Sequence, residues 1–119
     1  MEHKIYKDIT RDLNQYLAKM REEMPETMNS FSSLANSALK DGALSKKTKE
    51  MIALAIGIAS HCDGCIGFHV KALVNLDTTR AEFLEILSMV TYMGGGPSLM
   101  YAADALRAYE EFSATKVNL

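Results

Sequence analysis

The residues best suited to chemistry lie together in one stretch, residues 60–69, with the sequence SHCDGCIGFH. This stretch holds both cysteines of the chain and two of its three histidines. On a helix, side chains three and four positions apart share a face, so Cys62, Cys65 and His69 would line one stripe. Two thiols at that spacing can form a disulfide with little backbone movement, and the imidazole can take or give a proton. The pattern predicts a redox site.

The position of the two cysteines at the start of a helix also bears on their reactivity. Backbone amides and the helix dipole favour a thiolate there, and a thiolate is the nucleophile towards peroxides and disulfides. By this reasoning alone Cys62, nearer the helix start, is favoured as the nucleophile, and Cys65 would resolve the product. His69 is placed to act as base or acid, and Glu50, on the preceding apolar helix, could orient and charge-balance the imidazole.

Glu50 itself can be interpreted in two ways. Its helical neighbours at positions 53, 54 and 57 are apolar, which places it on the buried side of the helix. A buried carboxylate is costly unless something pairs with it. Alternatively, Glu50 is a surface acid that forms an i,i+4 pair with Lys46. The sequence leaves both interpretations open.

The spacing of the cysteines and histidines also bears on other roles for the pair. A zinc site would combine both cysteines and His69 with a fourth ligand, for which the candidates are His61, His3 and Glu50. A second close pair of ligands is missing from the sequence, which disfavours structural zinc. Haem attachment needs a histidine directly after the second cysteine, where this chain has Ile66. A thioredoxin-like fold needs a βαβ pattern, and none surrounds the pair. Buried, inert cysteines remain possible.

Length and composition describe an ordinary globular chain. The 119 residues, 48% hydrophobic and 24% charged, predict a single domain over residues 1–119. The net charge of −2 and the scattered basic residues favour neither nucleic acid nor an anionic membrane as a partner. The first residues lack the apolar core of a signal peptide, and the longest apolar run, 51–59, is too short to span a bilayer. We therefore expect a cytoplasmic protein, in which a close cysteine pair is catalytic or metal-binding more often than structural.

Apolar residues recur at helical spacing along the chain and predict an all-α fold of about six helices. An amphipathic helix occupies the N-terminal segment 1–22. The second helix begins at Pro25, ends near Gly42 and turns one apolar face inward, with Met28, Phe31, Leu34, Ala35, Ala38 and Leu39. Ser45 caps the third helix, and the cysteine helix runs to about residue 76. A capping box at 79–82 starts the fifth helix, and Pro97 starts the sixth after the glycines at 94–96.

Two further features concern packing. Gly64 and Gly67 interrupt the cysteine helix with residues that lack side chains, which indicates that another helix approaches closely. The apolar helix from Met51 and the apolar stripe of the N-terminal helix exceed what so short a chain can bury by itself. A closed symmetric homo-oligomer is the usual remedy, and we expect one here.

The spaced set of Glu50, Cys62, Cys65 and His69 resembles the Glu…Cys-x-x-Cys-x-x-x-His signature of the alkylhydroperoxidase D-like, carboxymuconolactone decarboxylase superfamily. The segment 92–97, YMGGGP, is similar to the helix junction of the same family. The resemblance covers roughly residues 31–109. The full spaced motif is fairly specific, whereas a bare Cys-x-x-Cys is not.

The resemblance implies an all-helical fold that assembles into homotrimers or hexamers, and a thiol-dependent hydroperoxidase or disulfide oxidoreductase activity. By analogy with the family, Cys65 attacks the peroxide, Cys62 resolves the product and faces the reductant, and Glu50 with His69 forms the proton relay. The assignment of the attacking cysteine differs from the one that the helix dipole favours. The better-known peroxidases also carry a histidine between the cysteines, where this chain has Gly64.

The expected partners are a small hydroperoxide or disulfide substrate and a dithiol or thiol-protein electron donor. No nucleotide, flavin or haem motif is visible in the sequence, so we predict no cofactor and no metal, with reducing equivalents arriving through thiol exchange. Two alternatives remain. A lyase of the carboxymuconolactone decarboxylase type would need convergent cations to hold a dianionic lactone, and no arginine lies near the cysteines in the sequence. A redox-sensing or zinc-stabilised module would not be an enzyme.

Overall fold

The computed structural model describes residues 3–116, and its secondary structure is entirely helical. The elements are α1 (Tyr6–Glu23), α2 (Pro25–Leu39), α3 (Lys46–Ala59), α4 (Asp63–Asn75) and α5 (Arg80–Thr115). Over residues 3–116 no strand is formed, which confirms the predicted all-α fold. No helix in that range is both long and apolar enough to cross a lipid bilayer.

The long helix α5 contains a break that reconciles five helices with the six predicted. Gly95 has φ 72° and ψ −160°, a conformation that residues with a side chain rarely adopt. Pro97 follows two residues later and cannot continue the hydrogen-bonding ladder of the preceding turn. The predicted fifth and sixth helices are therefore the two halves of α5.

The starts of two helices follow from local hydrogen bonds that the sequence predicts. The Ser45 hydroxyl accepts from the backbone N–H of Thr48 at 3.1 Å. At the start of α5, the Thr79 hydroxyl accepts from the N–H of Glu82, whose carboxylate accepts in return from the N–H of Thr79. Each bond satisfies an amide that the first helical turn leaves unpaired.

The cysteine helix α4 lies at the centre of the fold, with α1, α3 and α5 packed around it. The side chains that are fully buried come from all four helices, and the largest are Tyr6, Phe83, Leu54, Ile58, Ile66, Leu73 and Val70. Helix α1 packs closely on α4 because Gly67 has no side chain. A Cβ atom at that position would lie 2.7 Å from Cγ2 of Thr10.

Helix α2 differs from the prediction. Its apolar residues were expected to face the core, but none of its residues is buried, and Phe31 and Leu34 are 66% and 63% exposed. The physical reason is that, of the described helices, α2 contacts α1 and α3 but not α4 or α5, so it lies outside the layer of helices that surrounds α4. Within residues 3–116 of one copy, the part of its apolar face that carries Phe31 and Leu34 therefore stays exposed.

Candidate functional site

The site is built on the hairpin between α3 and α4, which are joined by only three residues, 60–62. The backbone N–H of Cys62 donates to the carbonyl oxygen of Gly57 at 3.0 Å, which ties the turn to the end of α3. His61 has a positive φ of 56°, a conformation that is uncommon outside glycine. The sharp turn folds α4 back along α3, so residues early in α3 lie near residues late in α4.

The two cysteines occupy the first turn of α4 and form a disulfide, with Cα atoms 5.2 Å apart. Cys62 is the N-cap residue, and its sulfur accepts from the backbone N–H of Cys65 at 3.1 Å. Both residues are half-buried. The N-cap position places the Cys62 sulfur among the free amides of the helix start, where negative charge is stabilised.

Gly57 is a site residue that the sequence analysis missed. A Cβ atom on Gly57 would lie 2.9 Å from Cβ of Cys65, so the inner cysteine fits against α3 only because position 57 is glycine. A signal was available in the sequence. Gly57 follows Glu50 by seven residues, which is about two helical turns, so both lie on the face of α3 that meets α4.

The structure brings Glu50 and His69 into direct contact. Nδ1 of His69 lies 2.6 Å from Oε1 of Glu50, and Glu50 is 4% exposed. Of the two interpretations of Glu50, the structure therefore shows the buried one, with His69 as the partner in place of Lys46. A carboxylate only accepts hydrogen bonds, so this contact favours the tautomer with the proton on Nδ1, and Nε2 faces away from Glu50.

The four residues of the predicted site thus form two contacting pairs on one hairpin. Cys62 and Cys65 are bonded at the start of α4, and Glu50 meets His69 one turn beyond Cys65. Cys65 and His69 are four residues apart on a regular helix, which places them on the same face. For residues 3–116, no three histidine, cysteine or acidic side chains are grouped so that they could hold a metal ion.

His69 lies at the edge of an open hollow of about 430 Å³ between α2 and α3. Its walls are mainly apolar and comprise Phe31, Ala35, Ala38, Leu39, Ile52, Ala53 and Ile56. The lining also includes Lys49, whose ammonium donates to the carbonyl oxygen of Lys40. The hollow gives a small apolar molecule a route to the imidazole.

The opposite side of the cysteine turn is covered by α1. A Cβ atom on Gly64 would lie 2.7 Å from Cδ1 of Leu13. The place between the cysteines at which the better-known peroxidases carry a histidine therefore faces a leucine of α1 in this chain. A side chain at position 64 would need Leu13 to move.

Comparison with known proteins connects this geometry to a family. Residues 25–108 match the family model described as the carboxymuconolactone decarboxylase family. The structure is similar to that of an apo carboxymuconolactone decarboxylase family protein from Legionella pneumophila, with a TM-score of 0.89 and 63% sequence identity. That similarity covers 91% of this chain and 96% of the Legionella chain.

Two bacterial relatives with similar sequences carry no assigned activity in their names. An uncharacterized protein of Cupriavidus necator is 32% identical over 103 residues, which is 87% of this chain and 91% of the relative. Uncharacterized protein 4 in the cox locus of Paracoccus denitrificans is 31% identical over 83 residues, or 70% of this chain and 75% of the relative.

Proposed function

This chain belongs to the carboxymuconolactone decarboxylase family, and from that premise we propose that it is a thiol-dependent hydroperoxide reductase or disulfide oxidoreductase. The redox pair is Cys62 and Cys65, and the proton relay is Glu50 and His69. The observation that carries the proposal is the 2.6 Å contact between Glu50 and His69, one helical turn beyond Cys65. A buried acid that holds one imidazole nitrogen leaves the other available for proton transfer, as general acid–base chemistry needs.

The proposed reaction balances with one peroxide and one dithiol. The Cys65 thiolate attacks the outer oxygen of the hydroperoxide, the O–O bond breaks, and the alcohol leaves with a proton from His69. The sulfenic acid on Cys65 is then attacked by Cys62, which forms the disulfide and releases water. A dithiol donor reduces the disulfide by thiol exchange and becomes a disulfide itself.

The surroundings of the site support a small, apolar substrate. The hollow beside His69 is walled mainly by apolar side chains, and α1 blocks the other side of the cysteine turn through Leu13. We propose that peroxide enters on the α2 side. The cytoplasm is the proposed location, because thiol reductants there can return the pair to its reduced form.

The first test is a peroxide-consumption assay with the purified full chain and a dithiol donor. We expect consumption well above the rate of the donor alone, with one donor dithiol oxidised per peroxide. Protein whose two cysteines have been alkylated is the control and should show only the donor rate. Equal rates for the native and alkylated protein would rule out a thiol-dependent reaction.

The lyase alternative has less support from the site. Arg11, Arg80 and Arg107 form ion pairs with surface carboxylates. Among the described residues, no arginine lines the hollow beside His69. Within residues 3–116, Lys49 is the only lysine or arginine in the lining of the hollow that could bind a lactone dianion. Turnover of the lactone by a protein that lacks both cysteines would favour the lyase over the thiol reaction.

We also propose that the chain works as a homo-oligomer, a trimer or hexamer. An apolar surface, here called the Ile56 surface, comprises Phe31, Ile52, Ile56, Met89 and Met93, which are all between 46% and 76% exposed. Ile56 joins the hollow beside His69 to a second apolar hollow, formed with Met89 and Met93 of α5. Exposed apolar surface that continues across three helices is typical of an interface. Further copies of this chain are its proposed occupants, and they would close the hollow beside His69.

The variant Ile56→Glu tests this assembly, because a carboxylate at the centre of an apolar interface loses its hydration. We expect wild-type protein to sediment as a closed oligomer and Ile56→Glu to sediment as a monomer. Leu44→Glu is the matched control, since Leu44 is an exposed apolar residue of the loop before α3, outside the Ile56 surface. A wild-type protein that sediments as a dilute monomer would contradict the proposal.

A further inference from the structure

A network of polar contacts joins the N-terminal segment to the first residue of the cysteine helix. Asp63 directly follows Cys62, and its carboxylate accepts from the Tyr6 hydroxyl at 2.9 Å and from the Lys4 ammonium at 3.1 Å. Tyr6 is fully buried, and its own backbone N–H donates to Glu111 of α5 at 3.2 Å. The carboxylate next to the redox pair is therefore held by two donors from one short segment.

The same segment is linked through Tyr101 to His61, the residue on the other side of Cys62. The Lys4 ammonium bonds to Asp104 at 2.9 Å and lies 4.9 Å from the ring centre of Tyr101. The His61 ring stacks on Tyr101, with ring centres 4.6 Å apart and planes 3° from parallel. Both chain neighbours of Cys62 are thus fixed, Asp63 directly by Lys4 and Tyr6, and His61 through Tyr101.

The charge of Asp63 matters for the redox pair. A carboxylate beside a cysteine disfavours the thiolate, and so disfavours the reduced form of the pair. Lys4 offsets that charge, and the hydrogen bond to Asp104 above all raises the pKa of Lys4, so the ammonium is charged at neutral pH. Burial, and next the hydrogen bond to Asp63, raise the pKa of Tyr6, so its hydroxyl stays a donor.

We propose that Lys4 and Tyr6 are positioning residues for the redox pair: they hold and neutralise Asp63, and so make the Cys62–Cys65 disulfide easier to reduce. The inference rests on the proposed function, and it goes further by giving the N-terminal segment a part in the chemistry. That segment precedes residues 25–108, the part of the chain that matches the family model. Lys4 and Tyr6 therefore lie outside the matched family region, whereas the Asp63 that they hold lies inside it.

The redox step concerned is thiol exchange with a dithiol donor. The S–S bond of the protein breaks and that of the donor forms, while two electrons and two protons pass from the donor to the cysteines. Any proton that a cysteine then loses goes to solvent. Besides Asp63, the charged or titratable groups near the pair include a set around the turn and a set beside α3. Around the turn they are Lys4, Tyr6, His61, Tyr101, Asp104 and Arg107, and beside α3 they are Glu50 and His69.

The test measures the equilibrium between full-length protein and dithiothreitol, from the fraction of Cys62–Cys65 disulfide at each ratio of reduced to oxidised donor. For Lys4→Met we expect an equilibrium constant for reduction about fivefold lower than wild type, which is about 20 mV for a two-electron couple. Tyr6→Phe should shift it in the same direction. In an Asp63→Asn background, Lys4→Met should change the constant by less than about twofold, because the charge to be neutralised is gone.

Lys7→Met is the matched control, since Lys7 belongs to the same segment but lines a different groove, with Arg11 and Lys71. It should keep the wild-type constant. The inference would be overturned if Lys4→Met kept the wild-type equilibrium constant for reduction. It would also be overturned if Lys4→Met shifted that constant equally with and without Asp63→Asn. Both outcomes can be measured on Lys4→Met even if Tyr6→Phe does not fold. The equilibrium with dithiothreitol needs no peroxide. A wild-type protein that does not consume peroxide would therefore count against the proposed function, but the equilibrium constants of the variants could still be compared.

Discussion

Replacing Cys65 with serine is expected to reduce peroxide consumption to the rate of the dithiol donor alone. Serine is close to cysteine in size and fits against Gly57, but its hydroxyl is a far weaker nucleophile than a thiolate. The measurement is the steady-state assay described above, with the same protein and donor concentrations. A variant that keeps an appreciable fraction of wild-type turnover would remove Cys65 from the attacking role.

Cys62→Ser is the matched control, because both variants lose the same disulfide. They therefore lose the same contribution of that disulfide to the free energy of unfolding. If Cys65 attacks, Cys62→Ser still reacts once with peroxide and leaves a sulfenic acid that cannot be resolved within the chain. We therefore expect a burst of one peroxide per chain from Cys62→Ser, a sulfenic acid that a trapping reagent labels at Cys65, and no burst from Cys65→Ser.

The pair of variants also decides between two physical arguments that disagree. The N-cap position and the N–H of Cys65 favour a thiolate at Cys62. The family analogy favours Cys65, which packs against α3 on the side of the hairpin that carries Glu50 and His69. A burst from Cys65→Ser in place of Cys62→Ser would show that the helix start, and not the proximity of the acid–base pair, selects the nucleophile.

Much of the fold could be predicted because the rules that place helix ends act over a few residues. Ser45 and the Thr79–Glu82 capping box each satisfy amides within three positions, and the structure has both. The exposure of α2 could not be predicted in this way. Helical periodicity indicates that Phe31 and Leu34 share an apolar side, but what covers that side depends on the rest of the molecule and on further copies of the chain.

The site shows the same division between local and distant information. The stripe of Cys62, Cys65 and His69 follows from helical spacing alone. The partner of Glu50 does not, because Lys46 is four residues away and His69 is nineteen, and only the tight turn at 60–62 decides between them. The contacts of Lys4 and Tyr6 with Asp63 join positions 59 and 57 residues apart, so a short-range sequence pattern does not predict them.

Replacing Glu50 with glutamine is expected to lower peroxide turnover by about 10²-fold, within the range for loss of general acid–base catalysis. Glutamine has nearly the same shape, and its amide oxygen can still accept from Nδ1 of His69, so the imidazole stays in place. What is lost is the negative charge that stabilises the imidazolium while His69 carries a proton. Since a buried charge is removed and the hydrogen bond retained, we expect thermal stability to change little.

A proton relay also requires that Glu50 acts only through His69. A double-mutant cycle can test this requirement. His69→Asn should also lower turnover by about 10²-fold, and adding Glu50→Gln to it should cost little more, because groups that act as a unit are not additive. Glu85→Gln, the same chemical change at an exposed position of α5, is the control and should leave turnover unchanged. Losses that multiply in the double variant would mean that the two residues act independently, and the 2.6 Å contact between them would then be structural and not part of the chemistry.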